Sequence, residues 1–274
     1  AARGSVYPGF PTDNGVVSAV LQYQGSSGRM VAIGGIMATY NNASIMSVAT
    51  SVNEDGQEFA WTALGAGLSS GQAVLVNGRD TIISQGPGQV NALAFVESSG
   101  KWLIAGGSFL RSDNVYLNNI GKFNTDGGSA WEPLGAGVTG EVVTLSAYNS
   151  VVFVGGSFIV NDGNNSVNNF AKWDESKGAW QSVGLGVVGT VKSVLATGAD
   201  SALIAGSITS AGGTVLPGIV ESIVLYEGGV YKRVPCRFCS NPDCKENYYP
   251  QGATCEISGD GKELAKVGGI IYLR

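Results

Sequence analysis

Histidine is missing from all 274 residues. Its absence takes away the commonest general base and the commonest metal ligand. Ser-His-Asp and Cys-His nucleophile chemistry is excluded with it, as are the usual His-bound zinc, copper and iron sites. Charge is scarce too. Only 14% of residues are charged, with 16 Lys and Arg against 21 Asp and Glu, a formal net charge of −5. The cations are scattered, which argues against a nucleic-acid partner, because phosphate neutralisation needs a basic stripe. No apolar run reaches the ~18–20 residues that cross a bilayer, so no membrane span is expected in this chain. At Ala1 there is no initiator Met and no signal-like n-region and h-region, and the chain reads as a processed or excised piece. No helix of useful length is signalled, and no cofactor is expected.

What the chain does contain is a repeat. Glycine is abundant, 42 residues, without the three-residue period of collagen. Hydrophobic content is 44%, ample for a core and far from the composition of a disordered tail. Small residues at Gly35, Gly107, Gly156, Gly206 and Gly269 close similar apolar runs, in steps of 72, 49, 50 and 63. The unit is therefore about 50 residues, the length of a propeller blade rather than of a helical repeat. Each unit holds two short β-branched runs around a turn, as in 142–148 and 151–154 flanking Asn149-Ser150, then a more alternating run, then a Trp-x-x-Leu-Gly close. The paired glycines are expected to mark a bulge or a close backbone approach, and the Trp to fill the space between neighbouring sheets.

The expected fold is all-β: a propeller of about five four-stranded blades in one domain. The blades fall at about 16–65, 90–135, 142–184 and 191–234, with 254–274 completed by the N-terminal strand 5–10. That strand belongs to the same chain if the ring closes on itself, or to a neighbouring chain if strands are donated into a polymer. A fragment of a longer propeller is the third reading. In the fourth unit Tyr231 takes the Trp place and Ala205-Gly206 replaces the glycine pair. Two insertions stand out, Leu68 to Gln89 and a Cys-bearing stretch at 235–254.

The motifs Gly106-Gly107-Ser108-Phe109, Asn118-Asn119-Ile120-Gly121-Lys122-Phe123 and Trp131-Glu132-Pro133-Leu134-Gly135-Ala136-Gly137 recur around Gly156, Asn168 and Trp180. They resemble kelch-like propeller repeats, and more closely the repeats of the fungal cortical bud-site marker family and related surface proteins. The resemblance covers most of the chain and is specific to a repeat type. It implies an extracellular or cell-surface propeller used as a scaffold or for recognition, without catalysis. Kelch-like copper oxidases need His ligands, and this chain has none.

Cys236, Cys239, Cys244 and Cys255 cluster in one stretch. Two local disulfides in a secreted protein are one reading and a Cys₄ zinc site the other, although only Cys236 and Cys239 have the Cys-x-x-Cys spacing. Asn42 and Asn164 open N-glycosylation triplets in corresponding loops. Acidic residues gather in turns at Glu54-Asp55, Asp126 and Asp174-Glu175, where Asx-turns account for them more simply than calcium or glycosidase chemistry. The function expected is a structural scaffold of a surface layer, wall or filament. The alternative is a glycan- or protein-binding propeller, and a His-free glycosidase is the third reading. The expected partners are further copies of the chain or other surface proteins and glycans.

Overall fold

The computed structural model describes residues 15–26, 28–40, 43–52, 61–71, 73–76, 79–82, 86–161, 166–215, 222–233, 264–267 and 270–273. It is all-β, with no helix among the described residues. Four sheets follow one another, each built on an antiparallel meander of four strands in chain order, and in the fourth a further short strand, Thr214–Val215, pairs with the second strand. The first sheet holds Val16–Gly25, Gly28–Ile36, Val48–Val52 and Thr62–Ala63, and the second Gln89–Glu97, Lys101–Ser108, Ile120–Asn124 and Trp131–Pro133. The third holds Thr139–Tyr148, Val151–Asn161, Ser166–Asp174 and Ala179–Gln181, and the fourth Val187–Gly198, Ser201–Ala211, Ser222–Glu227 and Val230–Arg233. Leu264–Val267 pairs with Ile270–Leu273 and lies against the first strand of the fourth sheet.

The sheets fan out from their first strands. Each first strand after the first sheet lies against the first and second strands of the sheet before it, and no comparable contact joins fourth strands among the described residues. The glycine pairs explain how the sheets come so close. A Cβ on Gly34 would meet Val90 of the second sheet, one on Gly106 would meet Val142 of the third, and one on Gly155 would meet Val191 of the fourth. Each valine is a knob, fully buried at 0% exposure, in a socket that only a missing side chain leaves open.

The second glycine of each pair answers to a bulge. First and second strands lose register at Ser18, Asn91, Val143 and Lys192, where the first strand of each sheet carries an extra residue; the fourth sheet has further shifts at either side. Opposite each bulge a Cβ on Gly35, Gly107, Gly156 or Gly206 would collide with a carbonyl oxygen of the first strand. The residue two positions after that glycine, Met37, Phe109, Phe158 or Ile208, is buried in all four sheets.

The fourth-strand aromatics close the outer gaps between sheets. Trp131 Nε1 donates to the Leu64 carbonyl of the first sheet at 2.8 Å, and Tyr231 Oη donates to the Val183 carbonyl of the third at 2.7 Å. Tyr231 thus does the work of the Trp it replaces.

Two segments add detail to the sequence reading. The insertion after Leu68 carries its own hairpin, Ala73–Val76 with Arg79–Ile82, which is rooted where Ser69 bridges to Pro87 and Arg111. Residues 261–269 echo a second strand in sequence, yet Leu264–Val267 is the first arm of a hairpin and Val267 pairs with Ile270. Gly268 and Gly269 lie outside the described residues.

Candidate functional site

The two ends of the fan differ in chemistry. The tight turns between first and second and between third and fourth strands share one end, where the ion pairs gather: Lys101–Glu97, Lys122–Glu175, Lys172–Asp200, Lys177–Asp174 and Lys232–Glu227. Lys122 and Lys172 occupy the same place in their third strands, and each reaches a carboxylate of the following sheet. Lys122 Nζ lies 2.5 Å from Glu175 Oε1 and 4.1 Å from the centre of the Trp102 ring, while Trp173 Nε1 donates to Glu175 Oε2 at 2.8 Å. Asp174 organises its own turn, accepting from Ser176 N–H at 3.1 Å and Ser176 Oγ–H at 2.6 Å. Burial alone would push its carboxyl up, but the Ser176 and Lys177 donors outweigh that and hold it below the ordinary carboxylate range. The acidic pair at the third turn is therefore consumed in joining sheets and shaping the turn. It presents no free carboxylates 5–10 Å apart of the sort glycoside hydrolysis needs (order of magnitude).

Between the third and fourth sheets Phe153, Phe170, Tyr226 and Tyr231 form an aromatic wedge, with centroid separations of 5.2 to 6.2 Å. Burial and then the Asp200 carboxylate, which accepts from Tyr226 Oη at 3.3 Å, push the Tyr226 hydroxyl up to about 12. Burial, and to a lesser degree Tyr226, raises Tyr231 as well. Below about pH 10 these phenols are neutral whether the chain is folded or not, so their contribution to stability is intact. Above it the unfolded chain ionises first, and stability is lost as the pH rises toward the folded value of about 12. Urea midpoints measured at stepped pH should fall over that window in step with tyrosinate absorbance. The fall should flatten in Tyr226→Phe/Tyr231→Phe, and a slope unchanged by those substitutions would assign it elsewhere.

The opposite end carries the connections from second to third strand and from each sheet to the next. Here lie most of the large apolar side chains that remain exposed, among them Val115, Tyr116, Ile159, Leu185, Val188 and Val215. Asparagines in the left-handed region hold these connections. Asn119, at φ 69°, accepts from Phe109 N–H at 3.2 Å and donates to the Val138 carbonyl at 2.9 Å. Asn169, at φ 61°, does the same with Phe158 N–H at 2.8 Å and the Val187 carbonyl at 3.1 Å. The Asn-Asn motif thus clips each sheet to the start of the next. In the first sheet Ser47, at φ 74°, donates to the Gly88 carbonyl at 2.6 Å in the corresponding place. Arg111 lies under this end, only 4% exposed, with its guanidinium 4.6 Å over the Tyr116 ring. We take this connection-bearing end as the candidate functional site, because its side chains are not all spent on holding sheets together.

No protein-family model and no curated protein matches this chain. Its residues must therefore be read on their own geometry. Cys236, Cys239, Cys244 and Cys255, the glycosylation candidates Asn42 and Asn164, and Glu54-Asp55 lie outside the described residues. Ser166, the hydroxyl residue of the Asn164 triplet, is exposed at the start of its strand and donates to Asn161 Oδ1 at 3.0 Å. Among the described residues no three Cys, Asp or Glu gather as a metal site. Sequence reasoning passed over Arg111 and the Lys122–Glu175 pair. Lys122 did carry a signal, since Lys172 repeats it 50 residues on.

Proposed function

We propose that this chain is a non-catalytic extracellular scaffold, a kelch-like β-propeller of about five four-stranded blades that serves as a subunit of a surface layer, wall or filament. The observation that carries this reading is the knob-and-socket contact repeated at three successive junctions: Val90 on Gly34, Val142 on Gly106 and Val191 on Gly155. The residues that make the motifs recognisable are those that join sheet to sheet. A fold built this way adds units until a ring closes or a neighbour is met.

The first sheet favours continuation. Val20 pairs with Ile33, and Ile33 pairs with Ala49, so the three form a row across the face turned away from the second sheet. Ile33 and Ala49 are fully buried, but Val20 is 63% exposed, whereas its counterparts Leu93 and Val194 are buried at 8% and 5% and Leu145 is partly buried. A further sheet of the same repeat covers Val20, supplied by residues 254–274 with 5–10 or by another molecule. Sedimentation of the full chain over a range of concentrations tests this. Growing assemblies that Val20→Asp abolishes support the layer or filament, and a monomer at every concentration removes it while leaving a closed ring. Negative-stain images then separate a ring from a fibre by shape.

A recognition role is the second reading, because exposed apolar residues gather on the connection-bearing end, the surface such folds use for ligands.

A further inference from the structure

Arg111 stands where the repeat elsewhere places a neutral residue. Counted from the glycine pair, its counterparts are Thr39, Val160 and Ser210. Val160 is 3% exposed and belongs to the apolar core, so a valine serves well in this place. Arg111 is as deeply buried, yet it carries a charge that no protein environment removes by deprotonation. Its main chain is fixed against the root of the insertion: Ser69 N–H donates to the Arg111 carbonyl at 2.9 Å, and Arg111 N–H donates to the Ser69 carbonyl at 3.3 Å. Its Nε and Nη1 are sealed from solvent and have no acceptor among the described residues. Those two atoms bear three N–H donors. The Tyr116 ring attracts the cation, but it offsets only part of the cost of dehydrating those three donors. At the junction where the insertion after Leu68 breaks the repeat period, a buried cation replaces a neutral residue. Departures from a repeat that leave a polar group unsatisfied mark places kept for something other than stability.

We propose that Arg111 anchors a binding site for a carboxylate carried by a small ligand at the connection-bearing end. A planar carboxylate engages two guanidinium N–H groups at once and neutralises the charge, which a single water cannot do. The way in is the short hairpin beside it. Arg111–Ser112 and Val115–Tyr116 pair over only two residues each, so parting them breaks few bonds. Tyr116, 46% exposed, then flanks the ligand with an aromatic edge. This site is separate from the sheet-to-sheet contacts that carry the scaffold reading, and either stands if the other fails.

The test titrates the full chain at low salt with sodium glucuronate, sodium acetate and uncharged glucose, following the Arg111 Nε–H resonance by NMR and binding by calorimetry. Both carboxylates should move the resonance and glucose should not. Glucuronate stronger than acetate would show that the sugar body contributes, and equal affinities would confine recognition to the carboxylate. Arg111→Val, the residue the repeat itself uses, should weaken carboxylate binding roughly tenfold or more without lowering thermal stability. A wild-type resonance indifferent to both carboxylates overturns the proposal and needs no variant to fold. Undiminished binding by Arg111→Val overturns it as well.

Discussion

Gly155→Ala should destabilise the protein by about 1–3 kcal/mol, and combining it with Val191→Ala should cost clearly less than the sum of the two single losses. The new Cβ would overlap Val191 Cγ1 and stand 2.7 Å from Val194 Cγ2 and 2.8 Å from Thr144 Cγ2. These contacts come from two strands in two sheets, so no single rotamer change relieves them. Val191→Ala alone removes two methyl groups from a residue that is 0% exposed, which costs about 2 kcal/mol through lost burial and the cavity left behind. In the double variant the alanine methyl occupies that cavity, so the two losses should not add. Urea unfolding followed by tryptophan fluorescence gives all four corners of the cycle. Additive losses would mean that Gly155 and Val191 do not act as socket and knob, and the packing account of the fan would lose its centre. The fourth sheet already carries the variant: Ala205 stands in the socket place at 1% exposure, among Leu203 and Ile223.

How far this arrangement could be read in advance depended on how local its cause is. The glycine pair announces a bulge because the collision it avoids lies between adjacent strands only residues apart in the repeat, as with Gly107 and the Gln89 carbonyl. The Trp131 latch was legible for a similar reason, since a large ring at a fixed period has few places to go. Tyr231 in the Trp place followed from period alone. The sockets were not legible. That Gly106 receives Val142 depends on two sheets meeting at one height, which neither stretch of sequence encodes. Arg111 escaped notice because arginine is assigned to solvent by default, and only the burial of its Nε and Nη1 without an acceptor among the described residues sets it apart.

The pairing of Lys122 with Glu175 has the largest consequence of any single contact described. Glu175→Gln should cost about 3–5 kcal/mol, the usual penalty for leaving one member of a buried ion pair behind. The estimate needs no discount for solvent, because the two side chains are only 12% and 3% exposed. With the carboxylate gone, Lys122 keeps the Trp102 ring, worth about 1–2 kcal/mol at a desolvated site, and a distant Glu132 carboxylate at 4.0 Å that is itself 54% exposed. Neither replaces the lost partner. Lys122→Met/Glu175→Leu should behave differently. It removes both charges and leaves apolar groups of similar size between Trp102 and Trp173, so its stability should return to within about 1–2 kcal/mol of the natural protein. The shortfall comes from Trp173, whose Nε1 loses its acceptor. Thermal unfolding of the three proteins decides the matter. If Glu175→Gln matches the natural protein, the pair is a surface ornament and the second and third sheets are joined by their apolar core and the Asn119 clip. If the double variant is as damaged as the single one, the charges are doing more than cancelling each other, and the geometry they impose on the turn at Asp174 becomes the feature that joins the sheets.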